Sequence, residues 1–137
     1  MNIDRLNTTT LAFMGDAVYE VYVRRAMIET GSSRADKLHR MTVRYVRAAA
    51  QAQAVRTLYD ELMPDEKNLV RRARNRRSAA RARHTDPLTY KYATAFEALI
   101  GYLYLIEDTA RMEEIIAAAM RVIREGEQED GEEESPQ

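Results

Sequence analysis

A single carboxylate, Asp16, stands in an otherwise apolar run, Ala12-Phe13-Met14-Gly15-Asp16-Ala17-Val18-Tyr19. This run constrains the fold more than any other, because an acid taken out of water is costly unless a partner or a metal receives it. A second stretch, Ala95-Phe96-Glu97-Ala98-Leu99-Ile100-Gly101, repeats the arrangement far downstream. Both read as helices. Leu11, Met14, Val18, Val21 and Tyr22 fall on one face of a helix from about Thr8 to Ile28, with Asp4 or Asn7 through Thr10 available to cap it. Phe13, Ala17 and Val23 make a second side apolar. Such a helix is central, or it packs on a second protein as well as on its own core. Tyr92, Ala95, Phe96, Leu99, Ile100, Leu103 and Tyr104 mark the second core helix, about Tyr90 to Ile106. Gly101 in its middle allows close approach of a neighbouring helix.

The rest of the chain is also helical in pattern. Gly31-Ser32-Ser33 ends the first helix. A short helix at about Arg34–Arg40 follows. A long one, Thr42 to Tyr59, has Val43, Val46, Ala50, Ala54, Val55 and Leu58 inside and Arg44, Arg47 and Arg56 outside. Pro64 suits the first turn of the next helix, with Asp65 and Glu66 at its positive end. Thr85-Asp86-Pro87 is a turn. Thr109 to Arg124 forms the last helix, with Met112, Ile115, Ile116, Ala119, Val122 and Ile123 on its face and Gly126 at its end. No segment alternates as a strand does. The expected fold is all-α: one domain over residues 1–124, then an acidic tail over 125–137 whose composition predicts disorder.

Composition narrows the chemistry. The chain of 137 residues is long enough for one buried core. It has no cysteine, which excludes disulfides and thiolate metal sites, and its two histidines, His39 and His84, are too few for a histidine-rich one. A metal would be held by oxygen, which points to magnesium or manganese. No apolar run reaches the roughly 18–20 residues of a membrane span. Met1-Asn2-Ile3-Asp4-Arg5 does not read as a secretory signal, so a cytoplasmic location is expected. The net charge of −1 conceals a division. Residues 125–137 hold seven acids and no base, which leaves 15 acids against 21 lysines and arginines, or +6, for residues 1–124. A basic body suggests an anionic partner.

Spacing alone leaves two readings of Asp16 and Glu97: buried acids each paired with an arginine, or a shared metal site. Glu20, one turn after Asp16, can join as a further ligand or can pair with Arg24 at i,i+4. From Arg71 to Arg83, seven of thirteen residues are arginine and none is acidic. Arg71, Arg72, Arg74, Asn75, Arg76, Arg77, Arg81 and Arg83 are the candidate nucleic-acid contacts, since guanidinium grips phosphate in a fork. The alternative is a solvated helix face, part of it a mobile loop. Tyr19, Tyr22, Tyr90 and Tyr92 are either base-stacking or core residues. Acids that can hold magnesium beside arginines that can hold phosphate suggest metal-assisted phosphodiester chemistry.

At these residues the chain resembles a known family. Phe13-Met14-Gly15-Asp16-Ala17-Val18 is similar to the signature of ribonuclease III catalytic domains, and Phe96-Glu97-Ala98-Leu99-Ile100-Gly101 to their second acidic motif. Tyr90 to Leu105 and Arg72-Ala73-Arg74-Asn75 resemble the Mini-III branch, whose members consist of the catalytic domain alone. The resemblance spans nearly the whole folded chain. It implies an all-α homodimer with double-stranded RNA in a valley, and Mg²⁺-dependent hydrolysis (Mn²⁺ can substitute) to 5′-phosphate and 3′-hydroxyl ends. For Mini-III it implies maturation of the 23S ribosomal RNA precursor, with room for a ribosomal protein that presents the substrate. Asp16 and Glu97 become the catalytic, metal-holding acids, and Phe13 the aromatic inserted into the partner subunit. Two positions where longer family members carry acids hold Ala12 and Thr94 here. Fewer carboxylates leave more of a metal's shell to water and phosphate. Those two residues also support the competing expectation of a non-catalytic, RNA-binding or ribosome-associated helical protein.

Overall fold

A computed structural model of the chain describes residues 1–76 and 86–134, with side chains described through residue 127. Its helices are α1 (Thr8–Glu29), α2 (Ala35–Val46), α3 (Ala48–Leu58), α4 (Pro64–Asn75), α5 (Pro87–Leu105) and α6 (Thr109–Glu134). Among the described residues there is no strand, in keeping with the all-α expectation.

The central helix is α5, which packs against α1, α3, α4 and α6. Ala93, Ala95, Phe96, Ala98, Leu99, Ile100, Gly101 and Leu103 are all buried, and a helix apolar on every side must be surrounded. It begins at Pro87, earlier than the expected Tyr90. The Asp86 carboxylate accepts from the Leu88 and Thr89 N–H groups, each at 3.1 Å, and proline fits the first turn.

Asn7 caps α1, its Oδ1 accepting from the Thr10 N–H at 2.8 Å. The inner stripe of α1 differs from the expected one. Leu11, Gly15, Tyr19, Val23 and Met27, each four residues apart, line the core. Met14, Val18 and Tyr22 flank it half-buried, and Val21 is 63% exposed. Val23, expected on the second apolar side with Phe13 and Ala17, is fully buried. Apolar residues on so many sides do not fix which way the helix faces; side-chain size does, because only the glycine face lets the two backbones meet.

The expected helix from Thr42 to Tyr59 is in fact divided at Arg47, and the short helix before it continues through Val46. Arg47 is extended, with φ −62° and ψ 152°. Two buried side chains reach into the break. The Tyr19 hydroxyl donates to the Tyr45 carbonyl at 3.0 Å, and Gln51 Nε2 donates to the Val46 carbonyl at 2.7 Å. They satisfy carbonyls that a helix end leaves open. The break also turns Val43 outward and brings Thr42 and Tyr45 in.

The start of α4 is tied to α6. Glu66 accepts from the Met63 N–H at 2.8 Å and takes a fork from Arg111 at 2.8 and 2.9 Å. Burial alone would raise Glu66; Arg111 and the Met63 N–H outweigh it and hold the carboxyl below its usual range. At the other end, α6 runs through Gly126 to Glu134, so residues 125–134 are helical where disorder was expected. Gly126 is no stop. It gives room to the Gln53 side chain of α3, and the next residue, Glu127, takes a fork from Arg44 of α2. Tertiary contacts here override the local breaker signal.

Candidate active site

The helices α1 and α5 cross backbone to backbone. A Cβ on Gly15 would collide with the Glu97 carbonyl, and a Cβ on Gly101 with the Leu11 carbonyl. The two glycines form a reciprocal pair, one on each helix, and the sequence reading had given this use to Gly101 alone. Tyr19 locks the crossing one turn on: its ring meets Phe96 edge-to-face at 4.9 Å and 81°. Edge-to-face rings contribute about 0.5–1.5 kcal/mol beyond their burial.

This crossing brings Asp16 and Glu97 together. Asp16 follows the glycine that touches the Glu97 carbonyl, and the two carboxyls interact directly. Burial raises Glu97 most. The hydrogen bond and charge of Asp16 raise it further, the Gln51 amide works the other way, and the carboxyl is pushed up to about 8. Asp16 itself is exposed, not buried as its apolar neighbours suggested. The helix turns its glycine inward and leaves the aspartate at the rim. Among the described residues neither acid forms an ion pair, so none of these residues supplies the arginine partner of the alternative reading.

Two adjacent carboxyls, with no ion-pairing base among the described residues, have the donor chemistry of a hard divalent cation. The neighbouring positions add no further carboxylate to the pair. Ala12 is buried, and the Thr94 hydroxyl donates to the Tyr90 carbonyl of its own helix at 3.0 Å. Glu20 lies 3.5 Å from Arg24 in an exposed i,i+4 pair. No cluster of three or more acids and histidines forms among the described residues. A buried amide reaches Glu97: Gln51 acts on that carboxyl as a hydrogen-bond donor, and among the described residues its Oε1 is a buried polar atom without a partner. Sequence reasoning passed over Gln51, although a polar residue on the inner face with Ala50, Ala54 and Val55 was a visible signal.

The basic run divides. Arg71, Arg72, Arg74 and Asn75 belong to α4 and Arg76 follows it, so this part is helix rather than loop; Arg77, Arg81 and Arg83 lie outside the described residues. Arg71 donates to the Asn68 side chain. Arg72 lines a groove with Asp4 and Asp65, two acids that disfavour phosphate. Arg74 stands 5.7 Å from the centre of the Tyr92 ring and donates to its hydroxyl at 3.4 Å. Arg56 of α3 stands over the same ring at 4.8 Å. Tyr92 precedes Glu97 by five residues, about 7.5 Å along α5. Arg56 was expected only to face outward; nothing in its spacing linked it to Arg74. Phe13 is 79% exposed.

The Ribonuclease III domain profile matches residues 9–108. A protein named Mini-ribonuclease 3 from Thermoanaerobacter sp. (strain X514) is 42% identical over 120 residues, covering 88% of this chain and 84% of that one. Mini-ribonuclease 3 of Symbiobacterium thermophilum is 43% identical over 117 residues, with 85% and 90% covered. That of Brevibacillus brevis is 45% identical over 121 residues, with 88% and 90% covered. The crystal structure of protein FN1578 from Fusobacterium nucleatum superposes with a TM-score of 0.77 at 28% identity, over 88% of this chain and 96% of that one.

Proposed function

The chain belongs to the ribonuclease III family, in its Mini-ribonuclease 3 branch, and is an endoribonuclease; from that premise we propose that it cuts double-stranded RNA with a divalent cation held by Asp16 and Glu97. The observation that carries this is the glycine-paired crossing of α1 and α5, which sets the two carboxyls against each other. Mg²⁺, or Mn²⁺ in its place, supplies a polarised phosphate and an activated water when bound. Asp16 and Glu97 hold the cation through carboxylate oxygens once Glu97 has released its proton. The products are 5′-phosphate and 3′-hydroxyl ends.

Arg74 and Arg56, stacked on Tyr92, offer guanidinium groups to the RNA backbone near the acids, and the remaining arginines of the 71–83 run extend that surface. Duplex RNA suits such a surface, because its deep, narrow major groove is closed to side chains and recognition goes through phosphates and 2′-hydroxyls. The apolar residues Phe13, Ala17 and Val21 lie exposed along one side of α1. We read them as the homodimer contact, with Phe13 entering the partner. The substrate we assign is the 23S ribosomal RNA precursor in the cytoplasm, presented by a ribosomal protein.

The test is to incubate the protein with a duplex stem of that precursor in Mg²⁺, in Mn²⁺ and in EDTA. The expected result is cleavage in both metals and none in EDTA, with phosphate retained on the 5′ side of the downstream fragment. Equal cleavage in EDTA overturns the metal role, and an uncut stem beside a readily cut unrelated duplex overturns the substrate.

A further inference from the structure

The outer face of α2 carries a row of cations that the candidate active site does not use. Lys37, Arg40 and Arg44 stand three and four residues apart, and Arg47 follows at the end of the helix; all four are exposed. Thr42 and Tyr45 turn the opposite side into the core. The row spans about 15 Å. Lys37 and Arg47 form no ion pair among the described residues, and Arg40 meets Asp36 only at 3.4 Å. Arg44 differs. It forks onto Glu127 of α6, with Nη2 at 2.6 Å and Nε at 3.4 Å, although its side chain is 59% exposed. A pair so exposed gains little net free energy in water, so another anion can displace the carboxylate. The fork it makes is also the one that guanidinium offers to phosphate.

Glu127 belongs to a segment of one sign. Residues 125–134 hold seven acids and no base, and α6 carries them on as helix. The same turn lies close to the arginines assigned to RNA: Gly126 gives room to the Gln53 side chain of α3, and Gln53 and Arg56 line one groove. We propose that the outer face of α2, centred on Arg44, is a second phosphate-binding surface for duplex RNA, and that Glu127 is its internal competitor. This rests on the reading of the chain as a duplex-RNA binder through Arg56 and Arg74. A duplex presents many phosphates and takes Arg44 from a single tethered carboxylate.

The test measures binding of a short RNA duplex across a salt series by the full chain carrying Asp16→Asn to prevent cutting. Glu127→Gln, Arg44→Ala, the two together and Arg74→Ala are compared on that background, with thermal melting to verify folding. Glu127→Gln is expected to tighten binding by about two- to fivefold, the worth of an exposed ion pair read as a fold-change. Arg44→Ala is expected to weaken binding by about threefold or more and to lower the salt slope by about one. With Arg44→Ala present, Glu127→Gln should no longer tighten binding. A structural tether between α6 and α2 predicts instead that Glu127→Gln leaves RNA affinity unchanged or weakens it, and that result overturns the proposal. Equal tightening with and without Arg44, or an unchanged slope in Arg44→Ala, overturns it too. If Arg74→Ala weakens binding while the Arg44 and Glu127 variants match the Asp16→Asn parent, this inference alone falls; if the parent binds no duplex, the RNA reading falls with it.

Discussion

Glu97 holds its proton up to about pH 8 because burial and a neighbouring carboxylate both oppose its ionisation. Its usual value is 4.5, so between pH 4.5 and 8 the folded chain binds a proton that the unfolded chain has released. Stability without metal therefore falls as pH rises through that window. Glu97→Gln removes this dependence. Without metal at pH 8 the variant is expected to melt a few degrees above wild type, although it cannot cut. Thermal scans in EDTA at pH 5, 6, 7 and 8 check this, and parallel curves for the two proteins would contradict it. Cleavage should rise with pH over the same range in Mg²⁺, shifted to lower pH as the cation displaces the proton. That Asp16 and Glu97 matter was legible from one acid in each apolar run. Their exposure and their contact were not, since both follow from which face of α1 turns inward.

That orientation is decided between elements. Gly15 and Gly101 let α1 and α5 approach until backbone touches backbone, and this sets the separation of the acids. Gly15→Ala places a methyl group in the Glu97 carbonyl. Overpacking of this kind costs about 1–3 kcal/mol, occasionally more, and a misplacement of about 1 Å can cost a hundredfold in rate. The variant should fold with a lowered denaturation midpoint and cut at least a hundredfold more slowly; a wild-type rate would show that the crossing does not position the site. Helix spacing in the sequence identified α1, α5 and α6. It missed the break at Arg47, because the groups that satisfy it, Tyr19 and Gln51, come from another helix and from the far side of the break. It also stopped α6 at Gly126, because Gln53 and Arg44, which hold that region, are distant in sequence.

At the scale of the whole molecule, the basic body and the exposed apolar side of α1 are separate surfaces with separate tests. With Asp16→Asn present to prevent cutting, Arg74→Ala should weaken duplex RNA binding and lower the slope of log affinity against log salt by about one, as for a lost phosphate contact. An unchanged slope would place Arg74 off the RNA path. Phe13→Asp should convert a dimer to a monomer in sedimentation; a wild-type profile would remove Phe13 from the interface. The charge asymmetry announced an anionic partner. The arrangement of the arginines was only half legible, since Arg56 joins Arg74 through a tyrosine on a third helix.

The central claim is that Asp16 and Glu97 are the acids through which this chain cuts RNA. The most direct measurement is single-turnover cleavage of an RNA duplex in Mg²⁺ by Asp16→Asn and Glu97→Gln, with RNA binding measured alongside. Both variants are predicted to fold and bind duplex, and to leave it uncut. Cleavage at the wild-type rate by either one would contradict the account.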